Sequence, residues 1–397
     1  MEWSKYTVED KPFALTSLVA FLLLLGGLYS DSYIVFFIGV LYFVAFFVNN
    51  YYLKHVGEEL KLVNKKVRSR HFIGEAGEWE IVLTNMGLPI MKGELQIVFD
   101  DCVSPINEKQ SNHLSNYTIK MPFSINKGQS KIITIPYQAV KRGVSKITNI
   151  ELKIPHFFGF GDTVLEYKQL FKNEALVYPS VMPVHNLKHF LSEKSGESIV
   201  NHSLFEDMLA PSGTRDYLYS DSFNRIHWKA SARKQTLQTK VFETAAERGW
   251  HLSINIAERY AINNQLEFMM SSAAELAYYS YKNNIPFSIS INMRVFGNTP
   301  FCYIPVGTGK EHLQRILETL SLVNHHSILY PYDKMVSFYE RHLFVQPYFI
   351  QSGLVNETAT DMIKSLNRKG VNLLRLDLDE KQAAIKRYHI DDKRGVS

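Results

Sequence analysis

The chain has 397 residues, 46% of them hydrophobic and 21% charged, with a net charge of +5. This length accommodates two soluble domains and a smaller element, at roughly 100–200 residues per domain. So mild a positive balance does not argue for a nucleic-acid ligand, and two distant cysteines, Cys102 and Cys302, give neither a disulfide framework nor a paired-cysteine metal site.

Two uncharged apolar runs open the chain, residues 13–29 and 32–48. Each is close to the shortest helix that spans ~30 Å of hydrocarbon. Tyr29, Tyr33, Tyr51 and Tyr52 flank them as interfacial residues, and only Ser30-Asp31-Ser32 separates them. The pattern predicts a transmembrane helical hairpin within residues 1–57. Its tip has no Lys or Arg, whereas Lys5 and Lys11 precede it and Lys54, Lys61, Lys65, Lys66, Arg68 and Arg70 follow. The positive-inside rule then predicts a two-pass protein of the cell membrane with both termini and the soluble domains in the cytoplasm. The basic cluster at 61–70 can also meet anionic headgroups, at about 1 kcal/mol per charge near the surface.

Residues 58–180 switch to short alternating runs at 78–84, 93–99, 131–137 and 143–154, punctuated by Asn85-Met86-Gly87 and Asn126-Lys127-Gly128. Repeated short strands with such turns predict a β-sandwich-like domain. From residue 249 to 397 strands and helices alternate. A buried strand at 252–256 precedes a stripe of Leu266, Met269, Met270, Ala273, Ala274, Ala277, Tyr278 and Tyr281 at helical spacing. A strand at 285–296, a helix marked by Leu313, Ile316, Leu317 and Leu320, a strand at 343–350, a helix capped by Asn356 and a strand at 371–376 follow. This order predicts a three-layer α/β domain around a mostly parallel sheet.

The connecting segment, 181–248, holds a dense polar stretch. Asp221 or Ser220 is positioned to cap a helix running to about Lys234. On it Arg225, Lys229 and Arg233 recur every four residues beside Trp228, with Arg215 and Tyr217 upstream and Lys240 and Glu243 downstream. Guanidinium groups in a row suit carboxylates or phosphates. The same charges could instead pair internally, Arg225 with Asp221 or Glu243.

These residues carry a resemblance. Gly213-x-Arg215-x-Tyr217, then Asp221-x-x-x-Arg225-Ile226-His227-Trp228-Lys229-x-Ser231-Ala232-Arg233, then Lys240-x-Phe242-Glu243, resembles the signature of the bacterial domain of unknown function fifty-eight family. Lys141-Arg142-Gly143, Phe157-Phe158-Gly159 and Val177-Tyr178-Pro179 add to it, and Ser220 stands where the family usually has Gly. The resemblance implies a membrane-anchored α+β multidomain chain with two membrane helices, a β-domain and a von Willebrand factor A-like region. It also implies company with MoxR-type AAA+ ATPases and other membrane proteins, and no reaction.

Other chemistry is thin. Where a von Willebrand factor A domain offers Asp-x-Ser-x-Ser to a divalent cation, this chain has Asn255-x-Ala257-x-Arg259, so no metal is expected. Gly307-Thr308-Gly309-Lys310 lacks the earlier Gly and the following Ser or Thr of a phosphate loop. His185 and His189 have no third ligand, and no nucleophile elbow is visible. The expectation is a non-enzymatic membrane-tethered adaptor without cofactor, acting with a MoxR-type ATPase in assembly or maturation of envelope-associated complexes. The alternatives are a hydrolase with a scattered site and a nucleic-acid binder using the basic helix.

Overall fold

The computed structural model describes residues 2–9, 12–29, 33–106, 111–113, 116–155, 161–191, 206–219, 221–223, 226–244, 249–259, 261–379 and 382–388. The chain divides into two compact units, Met1–Ser180 and Val181–Ser397. The hairpin tip at Ser30-Asp31-Ser32 and the Phe157-Phe158-Gly159 turn lie outside the described residues.

The first unit begins with a strand that the sequence reading passed over, β1 (Trp3–Glu9), followed by α1 (Pro12–Tyr29) and α2 (Tyr33–His55). Pro12 starts α1, where its missing N–H costs nothing. At ~1.5 Å per residue, the 23 residues of α2 exceed the ~30 Å of a hydrocarbon core. This helix is long and apolar enough to cross a membrane, with a mean hydropathy of 2.0 over its best window. The helices pack closely at two glycines. A Cβ on Gly27 would come within 2.5 Å of Phe36 N, and one on Gly39 within 3.1 Å of Leu24 N. Small residues at a helix–helix contact permit such close backbone approach in lipid. Phe21, Leu22, Phe37, Leu41 and Phe47 remain exposed.

The strands that follow are β2 (Leu60–Val63), β3 (Arg68–His71), β4 (Ala76–Asn85), β5 (Ile90–Asp100), β6 (Val103–Pro105), β7 (Ser111–His113) and β8 (Asn116–Ile125). After them come β9 (Gln129–Ala139), β10 (Gly143–Pro155), β11 (Gly161–Tyr167) and β12 (Glu174–Val177). One sheet runs β1-β11-β10-β5-β8-β7, with β12 and β3 attached through β10; the other runs β2-β4-β9-β6. Alternate residues face one shared core: Trp79, Ile81 and Leu83 of β4, Leu95, Ile97 and Phe99 of β5, and Ile135 and Tyr137 of β9. The Trp79 ring lies 5.1 Å from Phe99 across the sheets and 4.4 Å from Tyr137. The result is β-sandwich-like. Residues 143–154, legible as one strand or two, lie in a single 13-residue strand, Gly143–Pro155.

β1 pairs antiparallel with β11 from Trp3↔Tyr167 to Glu9↔Gly161. The chain therefore contributes a strand to the sandwich before it enters α1. Lys5 Nζ then donates to the carbonyls of Lys54 (2.8 Å) and Val56 (2.9 Å), supplying two donors at the end of α2.

The second unit comprises β13 (Val184–His185), α3 (Leu187–Leu191), β14 (Glu206–Asp216), α4 (Trp228–Lys234), β15 (Gln238–Thr244), β16 (Trp250–Ile254), β17 (Ala257–Glu258) and β18 (Ala261–Ile262). It continues with α5 (Leu266–Lys282), β19 (Phe287–Arg294), β20 (Phe301–Gly307), α6 (Gly309–Leu322), α7 (Tyr332–His342), β21 (Tyr348–Ser352), α8 (Glu357–Arg368), β22 (Asn372–Asp379) and β23 (Gln382–Arg387). Seven strands form a sheet in the order β13-β23-β22-β21-β16-β19-β20. β16 lies in its interior, parallel to both β19 and β21; β20 pairs antiparallel with β19 and β23 with β22, while β13 runs parallel to β23. Successive side chains of β16 point to opposite faces. Trp250 reaches α5 on one, its Nε1 donating to Ser280 Oγ at 2.8 Å, while His251 stacks on Tyr339 of α7 on the other, at 3.9 Å. Asn356 caps α8, its Oδ1 accepting from Ala359 N at 2.9 Å. α7 went unread because its buried set, Tyr332, Met335, Val336 and Tyr339, is interrupted by charged neighbours.

Candidate docking site

The signature residues build a small scaffold of their own. β14 and β15 pair antiparallel, with Gly213 opposite Val241, Thr214 opposite Lys240, Arg215 opposite Thr239 and Asp216 opposite Gln238. Glu243 lies further along β15.

The long helix expected from Asp221 does not form; α4 spans only Trp228–Lys234. The reason lies in what the Asp221 carboxylate does instead. It accepts from Arg215 through Nη1 (2.8 Å) and Nη2 (2.6 Å), from Leu218 N (2.9 Å) and from Thr239 Oγ1 (3.0 Å). Its backbone oxygen accepts from Tyr217 OH at 3.1 Å. Asp221 thus clamps the turn after β14 onto β15 and is not available as a helix cap. These donors, with the Arg215 guanidinium foremost, hold the carboxyl down at about 2.

His227 caps the short helix, its Nδ1 accepting from Ala230 N at 3.1 Å. Ser231 is the second lock. Its Oγ donates to His227 O (3.0 Å) and accepts from Gln238 N (2.9 Å). Gln238 is fully buried and donates from Nε2 to Asp216 Oδ1 at 2.5 Å. Ile226, buried, bridges to Thr239.

Around these locks the apolar side chains point outward. Tyr219 is 102% exposed, Phe223 72%, Trp228 66% and Leu218 58%. Lys229 and Arg233 are exposed on α4, and among the described residues neither forms an ion pair. Arg225 and Ser220 lie outside the described residues, and of the expected stripe Lys229 and Arg233 are described. Asp221, offered as a partner for Arg225, is engaged by Arg215. The sequence reading missed Tyr219 and Leu218 as display residues; their signal is a Tyr-Leu-Tyr run in a polar turn with no helical period to bury it.

A second polar constellation lies inside the α/β sheet. His251 Nδ1 and Nε2 each sit 2.8 Å from a hydroxyl, Ser288 and Ser290 respectively. Ser290 Oγ reaches Ser253 Oγ at 3.4 Å, to which Tyr332 OH donates at 3.0 Å. A serine beside a histidine is the geometry of an activated nucleophile. Here His251, Ser288 and Ser290 are fully buried, and burial alone pushes the imidazole down to about 3. No substrate reaches such a pair, and so weak a base activates nothing near pH 7. It is a packing network whose sequence trace is Ser alternating with Ile in β19, opposite His251 and Ser253 of β16.

At the carboxyl end of β16, Asn255 donates from Nδ2 to Leu354 O (2.5 Å), and its Oδ1 accepts from Ala257 N (3.1 Å) and Asn292 Nδ2 (2.6 Å). Its polar atoms are engaged in this network, Ala257 offers no donor atom and Arg259 is a cation, so these residues do not fit a divalent metal. Among the described residues no three His, Cys, Asp or Glu side chains gather as ligands. His185 and His189 are exposed on β13 and α3. Gly307-Thr308-Gly309-Lys310 closes β20 and opens α6, with Gly309 at φ +85°.

Residues 213–378 match the family model described as "Protein of unknown function DUF58". Comparison with curated proteins finds no match. Among solved structures, the chain is similar to a CARDB domain from Pyrococcus furiosus, at 10% identity over 30% of this chain and 86% of that one, TM-score 0.18. It is similar to a non-cellulosomal cohesin from Archaeoglobus fulgidus, at 8% identity over 30% and 89%, TM-score 0.19. A β-glucosidase from Listeria innocua shares 11% identity over 30% of this chain and only 16% of that enzyme, TM-score 0.17. Likenesses this low carry no argument about activity.

Proposed function

We propose that this chain, which carries the DUF58 region over residues 213–378, is a non-enzymatic membrane-tethered adaptor whose β14–β15 hairpin and α4 dock an acidic, partly apolar protein surface. One observation carries the reading: the signature separates into an inward polar lock (Arg215, Asp221, Ser231, Gln238) and an outward set of aromatic and cationic side chains (Tyr219, Phe223, Trp228, Lys229, Arg233). Exposed aromatics beside cations resemble the anchors of protein interfaces. The family resemblance suggests a MoxR-type AAA+ ATPase as the partner. The strand order of the second unit, with its antiparallel β20, favours a von Willebrand factor A-like reading.

The membrane part of the proposal is a two-pass anchor with both flanks cytoplasmic. Its support is that β1 and the end of α2 meet at Lys5, so both ends of the hairpin leave from one domain. Part of the neighbouring basic cluster is engaged within the fold, Arg68 with Glu174 at 2.7 Å, while Lys61, Lys65 and Lys66 are exposed.

The test uses the full chain in detergent with the variant Lys229→Glu/Arg233→Glu. Capture of the purified ATPase should be lost, while melting stays within the ~0.5 kcal/mol typical of surface changes. Normal capture by that variant would overturn the docking role. Steeply salt-dependent retention of RNA or DNA by the wild-type chain, lost in the variant, would favour the nucleic-acid alternative. A reporter after Ser397 should behave as cytoplasmic; cleavage of the soluble units by external protease in intact cells would refute that topology.

A further inference from the structure

We propose that the end of the β-sandwich from which α2 emerges is itself a lipid-contacting surface, seated in the headgroup–acyl boundary of a phospholipid bilayer through Met86, Leu88 and Met91. The inference rests on the reading of α2 as a membrane span, and it adds that the domain lies flush on the bilayer.

The first argument is the joint. α2 enters the sandwich without a linker: Leu53 and Val56 are buried, Val56 within the sandwich core, and Tyr52 packs against that core. Val56 N bonds Tyr52 O (2.8 Å), and Leu60, already in β2, bonds Gly57 O (3.3 Å). A Cβ on Gly57, at φ +82°, would meet Leu165 at 2.3 Å, so this turn is pressed against the sheet. Lys5 ties β1 to the same point. A domain joined in this way keeps a fixed end toward whatever surrounds α2.

The second argument is which loops lie at that end. β2 leaves α2 and pairs antiparallel with β4, placing Leu60 opposite Asn85. The β4–β5 loop therefore returns to the helix. Tyr52 OH donates to Pro89 O at 2.9 Å, and Met86 N to Glu59 O at 3.2 Å. The β8–β9 turn joins them, Gly128 N donating to Asn85 O at 2.7 Å.

The third argument is chemistry. Met91 is 78% exposed and Met86 53%, with Leu88 and Pro89 partly exposed between them. Unbranched thioethers are costly to hold in water and adapt readily to an irregular apolar medium. Tyr51, 59% exposed on the last turns of α2, and Tyr52 are interfacial residue types. Lys54, Lys92 and Lys127 are exposed around the loop, with Glu58 and Glu59 as the acidic groups, so the ring around the methionines suits zwitterionic as well as anionic headgroups.

The test compares full-length Met91→Cys with Val140→Cys, each carrying an environment-sensitive fluorophore, in phosphatidylcholine–phosphatidylglycerol vesicles with and without nitroxide-labelled acyl chains. Val140 follows β9, whose 11 residues at ~3.3 Å each carry it away from the α2 end. Burial pushes the native thiols, Cys102 and Cys302, up to about 11, so labelling near pH 7 favours the introduced cysteine. The expected result is blue-shifted emission at position 91 that nitroxide lipids quench, with neither effect at 140. A water-like, unquenched probe at 91 in protein that resists alkaline extraction would overturn the inference while leaving the span intact. A blue shift without quenching would mean that a second copy covers the loop, which also overturns it. Protein released by alkaline extraction would instead refute the span, and the inference with it.

Discussion

Ser231→Ala tests whether the signature is a lock with a display or only a charged helix. Ser231 is 9% exposed and touches both ends of the local structure, donating to His227 O and accepting from Gln238 N. Removing the hydroxyl deletes one hydrogen bond worth about 1 kcal/mol net. It also strands the buried Gln238 N–H, at roughly 1–3 kcal/mol. The hairpin should therefore open more easily by about 2–4 kcal/mol, against the few tenths expected if Ser231 were an ordinary surface residue. At ~1.4 kcal/mol per decade, amide exchange along β15 should accelerate by roughly 30- to 700-fold, while strands of the other unit keep their protection. The readout is hydrogen-exchange mass spectrometry on the full chain in detergent, with Trp228→Ala alongside. The tryptophan variant should show the converse: unchanged exchange and weakened partner capture. Unaltered protection of β15 in Ser231→Ala would refute the locked-scaffold argument.

The clamp at Asp221 sets an acid limit on the same hairpin. Its carboxyl is depressed to about 2 from an unfolded value near ~3.9, so its contribution is fully present above pH ~4 and is lost as pH falls through about 2. Asp221→Asn should flatten the acid-induced rise in β15 exchange, and an unchanged profile would sink the assignment. His251 acts in the other unit, and in a different window. Neutral down to about 3 when folded but titrating near ~6.5 when unfolded, it makes stability decline as pH drops from ~6.5 toward 3, by up to ~1.36 kcal/mol per pH unit. His251→Phe should melt lower at pH 7, because Ser288 and Ser290 lose a partner, yet show a shallower pH slope; the same slope as wild type would show that other groups dominate. Millimolar magnesium or manganese should leave the melting temperature where it is, and a rise of several degrees would mean that a metal binds after all.

What the sequence disclosed followed from periodicity and caps, and what it concealed followed from partners distant in the chain. The stripe from Leu266 to Tyr281 and the cap at Asn356 are local signals, and the corresponding helices form where those signals lie. β1 had no such signal. Trp-Ser-Lys-Tyr-Thr-Val-Glu becomes a strand because β11, more than 150 residues later, supplies its hydrogen-bond partners. At the signature, residue spacing suggested a helix from Asp221, since an acidic residue before a 3.6-residue repeat is a proper cap signal. The structure spends that carboxylate on Arg215 and Thr239, and Thr239 is brought to it only by the return of β15. The exposed tyrosine and leucine of the turn were overlooked for the same reason, since only a folded turn shows which side chains have nothing to pack against.

The carboxyl edge of the central sheet is filled by its own polar groups. Open α/β sheets usually bind ligands there, where strand order reverses, and in this chain the reversal is at β16, between β19 and β21. Asn255 at that edge is not a weakened aspartate. Its Nδ2 donates to Leu354 O, and a carboxylate in the same place would present an acceptor to an acceptor. Asn292 completes the closure, donating to Asn255 Oδ1 and accepting from Ile256 N at 2.7 Å. Gly353, at φ +93°, brings its backbone so near that a Cβ would stand 2.1 Å from Asn255 O. Two amides thus satisfy each other and the neighbouring backbone at this edge, with one glycine packed against them. Exposed aromatic faces lie instead on α4 and the turn that precedes it, beside Lys229 and Arg233, which form no ion pair among the described residues.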